Sequence, residues 1–135
     1  MKKSVMLCGL SLMGLLLTEG HAATVDDLLL QYQREGATGF SAAAGQELLN
    51  RTGQGGPEAE GKNCASCHTT HPAKPGQHAK TGKVIEPLAP VANPERLQDA
   101  AKVEKWFLRN CKGTLGRICT PQEKGDFLTF LLSVR

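Results

Sequence analysis

The spacing of apolar and polar positions predicts three or four helices and no strand. Thr24-Val25-Asp26-Asp27 reads as a capping box opening a short helix that carries Leu28, Leu29 and Tyr32 and ends at Gly36. Ser41 can cap a second helix through Leu48, Leu49 and Arg51, broken by Gly53 to Gly56 and Pro57. Residues 69–94, rich in Pro, Gly, Lys and His, predict a long irregular segment. Loops of that length are uncommon in small domains unless they serve a function, such as wrapping a bound group. Helical spacing returns over residues 94–110, with Leu97, Ala100, Ala101, Val103, Trp106 and Phe107 on the expected buried side. The last helix has the clearest start: Thr120 at the N-cap, Pro121 at the first helical position and Glu123 completing a box. Phe127, Leu128, Leu131 and Leu132 form its apolar stripe, and Gly125 would let another helix come close.

The amino terminus reads as a targeting segment. Lys2 and Lys3 precede an apolar run over residues 5–17, and Gly20-His21-Ala22 supplies small residues for cleavage after Ala22. The run is shorter than the roughly 20 apolar residues that span a bilayer. Residues 1–22 are therefore expected to be a signal peptide, and residues 23–135 a single exported domain with no membrane insertion. Losing Lys2, Lys3 and Glu19 turns 16 basic against 13 acidic residues into 14 against 12. That small excess, with no basic cluster interleaved with aromatics, argues against nucleic acid as a partner. The product is expected to be soluble.

Export leaves four cysteines in an oxidising compartment, and each needs a fate. Cys64-Ala65-Ser66-Cys67-His68 has the spacing of covalent c-type haem attachment. Two cysteines three residues apart reach the two vinyl groups of one porphyrin edge, and the next histidine then lies below the ring as an iron ligand. A zinc site using Cys64, Cys67 and a distant pair, or a redox-active dithiol, would share the Cys-x-x-Cys. A dithiol would want a βαβ setting, and no strands are predicted. One covalent haem c, held by Cys64 and Cys67 with His68 on iron, accounts for the motif and for the long loop behind it. Trp106 and Phe107 are candidate haem-pocket residues. Cys111 and Cys119, eight positions apart, are the pair left for a disulfide, which would staple the turn between two helices.

Electron-carrying cytochromes c commonly use His and Met as axial ligands. The methionines here are Met1, Met6 and Met13, all in the segment expected to be removed. The opposite iron face is left to His71, His78, a lysine, Asn110 or an open position. His71 follows His68 too closely to cross the ring without a large loop, and His78 reads first as a solvated loop residue. Asn110 ends an apolar stripe, and on spacing alone it reads as a helix C-cap.

From Cys64 onward the chain resembles the sphaeroides haem protein family of high-spin class I cytochromes c. The resemblance is carried by Thr81-Gly82-Lys83, Glu86-Pro87-Leu88-Ala89-Pro90, Asn93-Pro94 and Lys102-Val103-Glu104-Lys105-Trp106-Phe107. It continues through Arg109-Asn110-Cys111, Leu115-Gly116-Arg117, Cys119-Thr120 and Glu123-Lys124-Gly125-Asp126. It implies an all-α class I cytochrome c fold, three to five short helices around one covalent haem. It also implies Asn110 as a distal iron ligand that binds ferric iron and leaves on reduction, beside a Cys111–Cys119 disulfide. Small diatomic ligands (O2, NO, CO) and a multihaem or membrane-bound cytochrome donor would be the partners, and the periplasm the location. An oxidoreductase side activity is compatible with such a site, although no separate acid, base or substrate pocket is legible. The competing expectation is a low-spin bis-His carrier, closed to gases.

Overall fold

A computed structural model of the chain describes residues 23–54, 57 and 59–135. The expected signal peptide, residues 1–22, lies outside the described residues. The order of elements is α1 (Val25–Arg34), α2 (Ala42–Asn50), α3 (Ala65–His68), β1 (Gly76–Gln77), β2 (Val84–Ile85), α4 (Ala100–Leu115) and α5 (Pro121–Ser133). The fold is therefore mostly helical, as the patterning predicts.

Local chemistry sets most of the helix starts. The Asp27 carboxylate accepts from the Thr24 N–H at 2.8 Å and hydroxyl at 3.1 Å, opening α1. These bonds favour the ionised carboxylate and hold its pKa below the usual value. Ser41 Oγ accepts from Ala44 N at 3.2 Å at the head of α2. Thr120 Oγ1 accepts from Glu123 N at 3.2 Å, while Glu123 accepts from Thr120 N at 2.9 Å, so the box on α5 forms as read.

Besides the single turn of α3, which the pattern does not foresee, two regions differ from it. The segment 69–94 contains a minimal antiparallel ladder, Gly76 opposite Ile85 and Gln77 opposite Val84. Two-residue strands are too short to leave an alternating signal. The fourth helix begins at Ala100 and ends at Leu115 rather than spanning 94–110. Asp99 accepts from Lys102 N at 3.0 Å and fixes the start, and Gly116, at φ 74°, closes the end. Leu97 thus lies ahead of the helix, itself at φ 65°, and Ala101 and Trp106 face outward.

Among the described residues the helices pack around three small buried clusters. Leu28, Tyr32, Ala100 and Leu128 form the first, Leu48, Leu115 and the Cys111–Cys119 pair the second, and Leu49, Phe130 and Leu131 the third. Helices α2 and α5 approach closely at Gly45, where an added Cβ would overlap the Asp126 carbonyl and Phe130. Gly125 has a different role from the expected one: the Phe40 ring, not a second helix, fills the space above it. Between the clusters, Tyr32 donates to Glu104, which also takes Lys124 at 2.7 Å. Burial, and then the Glu104 bond, push the Tyr32 phenol far above its ordinary pKa. This network ties α1, α4 and α5 together.

Candidate haem site

The Cys-x-x-Cys-His run forms a single helical turn. Cys64 is the N-cap of α3, and its carbonyl accepts from Cys67 N at 3.3 Å and His68 N at 3.0 Å. The turn is anchored from before by Asn63, a residue the motif does not include. Its Oδ1 accepts from both Ser66 N and Ser66 Oγ at 2.8 Å, and its Nδ2 donates to the Asn50 carbonyl at the end of α2. The Asn-x-x-Ser spacing is a capping signal that could have been read from the chain. Both thiols are free and half-buried, and burial raises the pKa of Cys64.

Beyond His68 the backbone reverses sharply. Thr69 sits at φ 62° and ψ 170°, a conformation costing a β-branched residue on the order of 1–3 kcal/mol. Its N–H reaches the Ala65 carbonyl at 2.9 Å and its hydroxyl bonds the backbone of His71. The chain then returns at Gly76, where any Cβ would overlap the Cys67 carbonyl. Glycine is required there by the close approach of β1 to the motif.

Burial lowers the His68 pKa, and the charge of Arg96 lowers it further, which favours the neutral imidazole, the form that binds a metal. Arg96 is itself fixed: Nε donates to the Pro87 carbonyl and Nη2 to the Glu86 carbonyl, each at 2.8 Å. Asn93 Nδ2 reaches the same Pro87 oxygen at 3.4 Å. The irregular segment is thus stitched together beside His68.

An aromatic row runs from α4 along α5 toward the motif. Phe107 meets Phe127 edge-on at 6.0 Å, and Phe127 meets Phe130 at 6.4 Å. Cys64 and Ala65 pack against the cluster containing Phe130, as do Leu88 and Leu97. Asn110 stands one turn beyond Phe107, on the same flank as Val103. The helix continues past it to Leu115, so the C-cap reading of Asn110 is removed and Gly116 takes that role. Its side chain is exposed and its amide makes no hydrogen bond among the described residues. Cys111 and Cys119 form a disulfide with Cα atoms 5.7 Å apart, joining the last turns of α4 to the residue before the α5 cap. Trp106 is 43% exposed, with the Arg109 guanidinium 5.3 Å from its ring centre.

The other histidines among the described residues, His71 and His78, lie in the irregular segment after the motif. His71 is exposed, and the His78 ring Nδ1 is 3.2 Å from Thr81 N within the hairpin. Among the described residues no three His, Cys, Asp or Glu side chains gather as a protein-only metal site would require. A zinc reading would need a second thiol pair, and Cys111 and Cys119 are bonded to each other. Two free thiols on one turn, a neutral imidazole after them and half-buried apolar walls do fit a haem c.

A family model described as a domain of unknown function, DUF1924, matches residues 35–131. The cytochrome c-type protein SHP of Cereibacter sphaeroides is 41% identical over 104 residues, 77% of this chain and 79% of that protein. The chain belongs to this SHP family of c-type cytochromes. Cytochrome c'' of Methylophilus methylotrophus is 46% identical over 77 residues, 57% of this chain and 54% of its own. In three dimensions the SHP-family fold is similar to oxidised SHP, described as an oxygen-binding cytochrome c. The TM-score is 0.73 at 39% identity, covering 83% of this chain and 97% of that one. The solution structure of cytochrome c'', described in terms of haem-ligand detachment, gives 0.68 at 37% identity, covering 80% and 91%. Among the described residues no helix is long and apolar enough to cross a membrane.

Proposed function

We propose that residues 23–135 form a periplasmic, high-spin monohaem cytochrome c whose distal ligand is released on reduction. Cys64 and Cys67 would hold one haem c through thioethers, and His68 would bind its iron. Phe107 would contribute to the pocket and Asn110 would supply a second ligand, while Trp106, on the outward face of α4, would stay outside it. The haem supplies one-electron exchange and, in the ferrous state, affinity for small diatomic molecules.

The residues of the chain give this reading its logic. An amide oxygen is a hard, neutral, weak-field donor that suits ferric iron better than ferrous iron. Asn110 would therefore bind the ferric haem and let go of the ferrous one, which would leave room for O2, NO or CO. The disulfide at Cys111 would keep the Asn110 backbone in place as its side chain came off. With no methionine in residues 23–135, the potential is expected below that of His/Met carriers. The observation that carries the reading is the Asn110 amide, set inside α4 and not used to cap it. SHP, described as oxygen-binding, and cytochrome c'', described through ligand detachment, support it by similarity.

The test is optical. Ferric wild type should show a high-spin spectrum and, on reduction, bind carbon monoxide rapidly. Asn110→Ala should alter the ferric spectrum while keeping fast ferrous binding. Low-spin bands in both oxidation states with no carbon monoxide binding would instead establish the bis-His carrier, with His78 as the ligand.

A further inference from the structure

Charge is unevenly spread along the exported part of the chain. Residues 23–60 hold six acidic and two basic side chains, while residues 61–135 hold six acidic and twelve basic ones. Several acids of the second stretch are committed inward or to helix ends. Glu104 takes Tyr32 and Lys124, Glu123 takes Arg51 and Arg117, and Asp126 accepts from Ser41 N and Gln122. Asp99 caps α4.

The outward face of α4 is left with one sign of charge. Lys102, Lys105, Arg109 and Lys112 recur at spacings of three, four and three, which sets them along one side of the helix. All four are exposed, and none enters an ion pair among the described residues. Like charges at those spacings destabilise a helix by a few tenths of a kcal/mol per pair. A face meant only for solubility would more commonly mix signs. This one also carries Trp106, 43% exposed, with Arg109 over its ring. Tryptophan and arginine are the residue types that most often anchor protein interfaces.

We infer that this face of α4 is the docking surface for an acidic patch on the electron-donating protein. The inference rests on the electron-accepting reading above. Charge complementarity selects an acidic partner and speeds encounter, while the Trp106–Arg109 stack supplies area that desolvates on contact. The surface adjoins the flank that bears Val103 and Asn110, so a docked donor would sit beside the proposed distal ligand. Lys74, Lys80 and Lys83 form the rival cationic region, but no aromatic accompanies them.

Flavodoxin, a small acidic one-electron donor, serves as the probe, with a neutral photoreduced flavin as the control reductant. The holoproteins compared are wild type, K105E/R109E and K80E/K83E, each checked for an unchanged haem spectrum. At low salt, K105E/R109E should lose about tenfold or more in second-order rate with reduced flavodoxin, and K80E/K83E less than about twofold. The rates should converge at high salt. Calorimetric affinity for oxidised flavodoxin, which needs no electron transfer, should follow the same order. The neutral flavin should reduce all three alike. An equal or larger loss in K80E/K83E would overturn the inference and leave the electron-accepting reading intact. Failure of wild type to accept an electron from either reductant would sink that reading, and this inference with it.

Discussion

A Cβ built on Gly45 would run into the Asp126 carbonyl and the Phe130 side chain, so α2 reaches α5 there only without a side chain of its own. Gly45→Ala should push the helices apart and cost about 2 kcal/mol, seen as a lower urea midpoint with unchanged slope. Gly125, by contrast, is the floor under Phe40. The sequence marks both glycines as small but does not say what lies above them, because that neighbour comes from a distant part of the chain. Asn110 makes the same point in the site. Its spacing is compatible with a cap until the end of the helix is known, and Gly116 fixes that end. Asn63 runs the other way: its link to Ser66 is local, and the Asn-x-x-Ser spacing held that information from the start.

At the level of elements, Glu123 is the junction between the disulfide loop and α5. Its carboxylate accepts from Arg117 at 2.7 and 2.8 Å and from Arg51 at 2.5 Å, and it bonds the Thr120 N–H. The Arg117 bonds are the main reason its pKa falls to about 2. A carboxylate with a depressed native pKa adds stability above its ordinary value near 4.3 and loses it as pH falls toward 2. Glu123→Gln should therefore cost about 1 kcal/mol at pH 7, and urea midpoints of the two proteins should converge between about pH 4.5 and 2. The Cys111–Cys119 bridge spans eight positions. For so short a loop, chain entropy gives about 2.5 kcal/mol, so the double serine variant should unfold at correspondingly lower urea. Both helix starts at Thr24 and Thr120 were legible because capping is a conversation between residues three apart. The β1–β2 ladder was not, since two residues per strand carry no period.

Considered as a whole, the described residues bury three small clusters in place of one large core. Phe107 packs against the first two and Leu97 against the first and third, both only half-buried. Covalent attachment of a large apolar ring against such residues would supply packing that the chain alone provides sparingly. Cys64→Ala/Cys67→Ala, lacking both thiols, should therefore keep much of its far-UV helical signal while losing near-UV circular dichroism, if haem is what fills the space. A near-UV spectrum equal to that of the wild type would show that the chain packs without it. What the sequence determined by itself were the local matters: helical spacing, caps, the five-residue attachment run and the confinement of methionine to residues 1–13. Each depends on residues within about one turn of each other, or on composition. Tertiary structure alone decided that Arg96 and Gly76 close around the His68 turn, that Gly45 meets Asp126 and Phe130, and that Gly125 lies under Phe40. Those features arise where distant segments meet, and no periodicity along the chain encodes which segments those are.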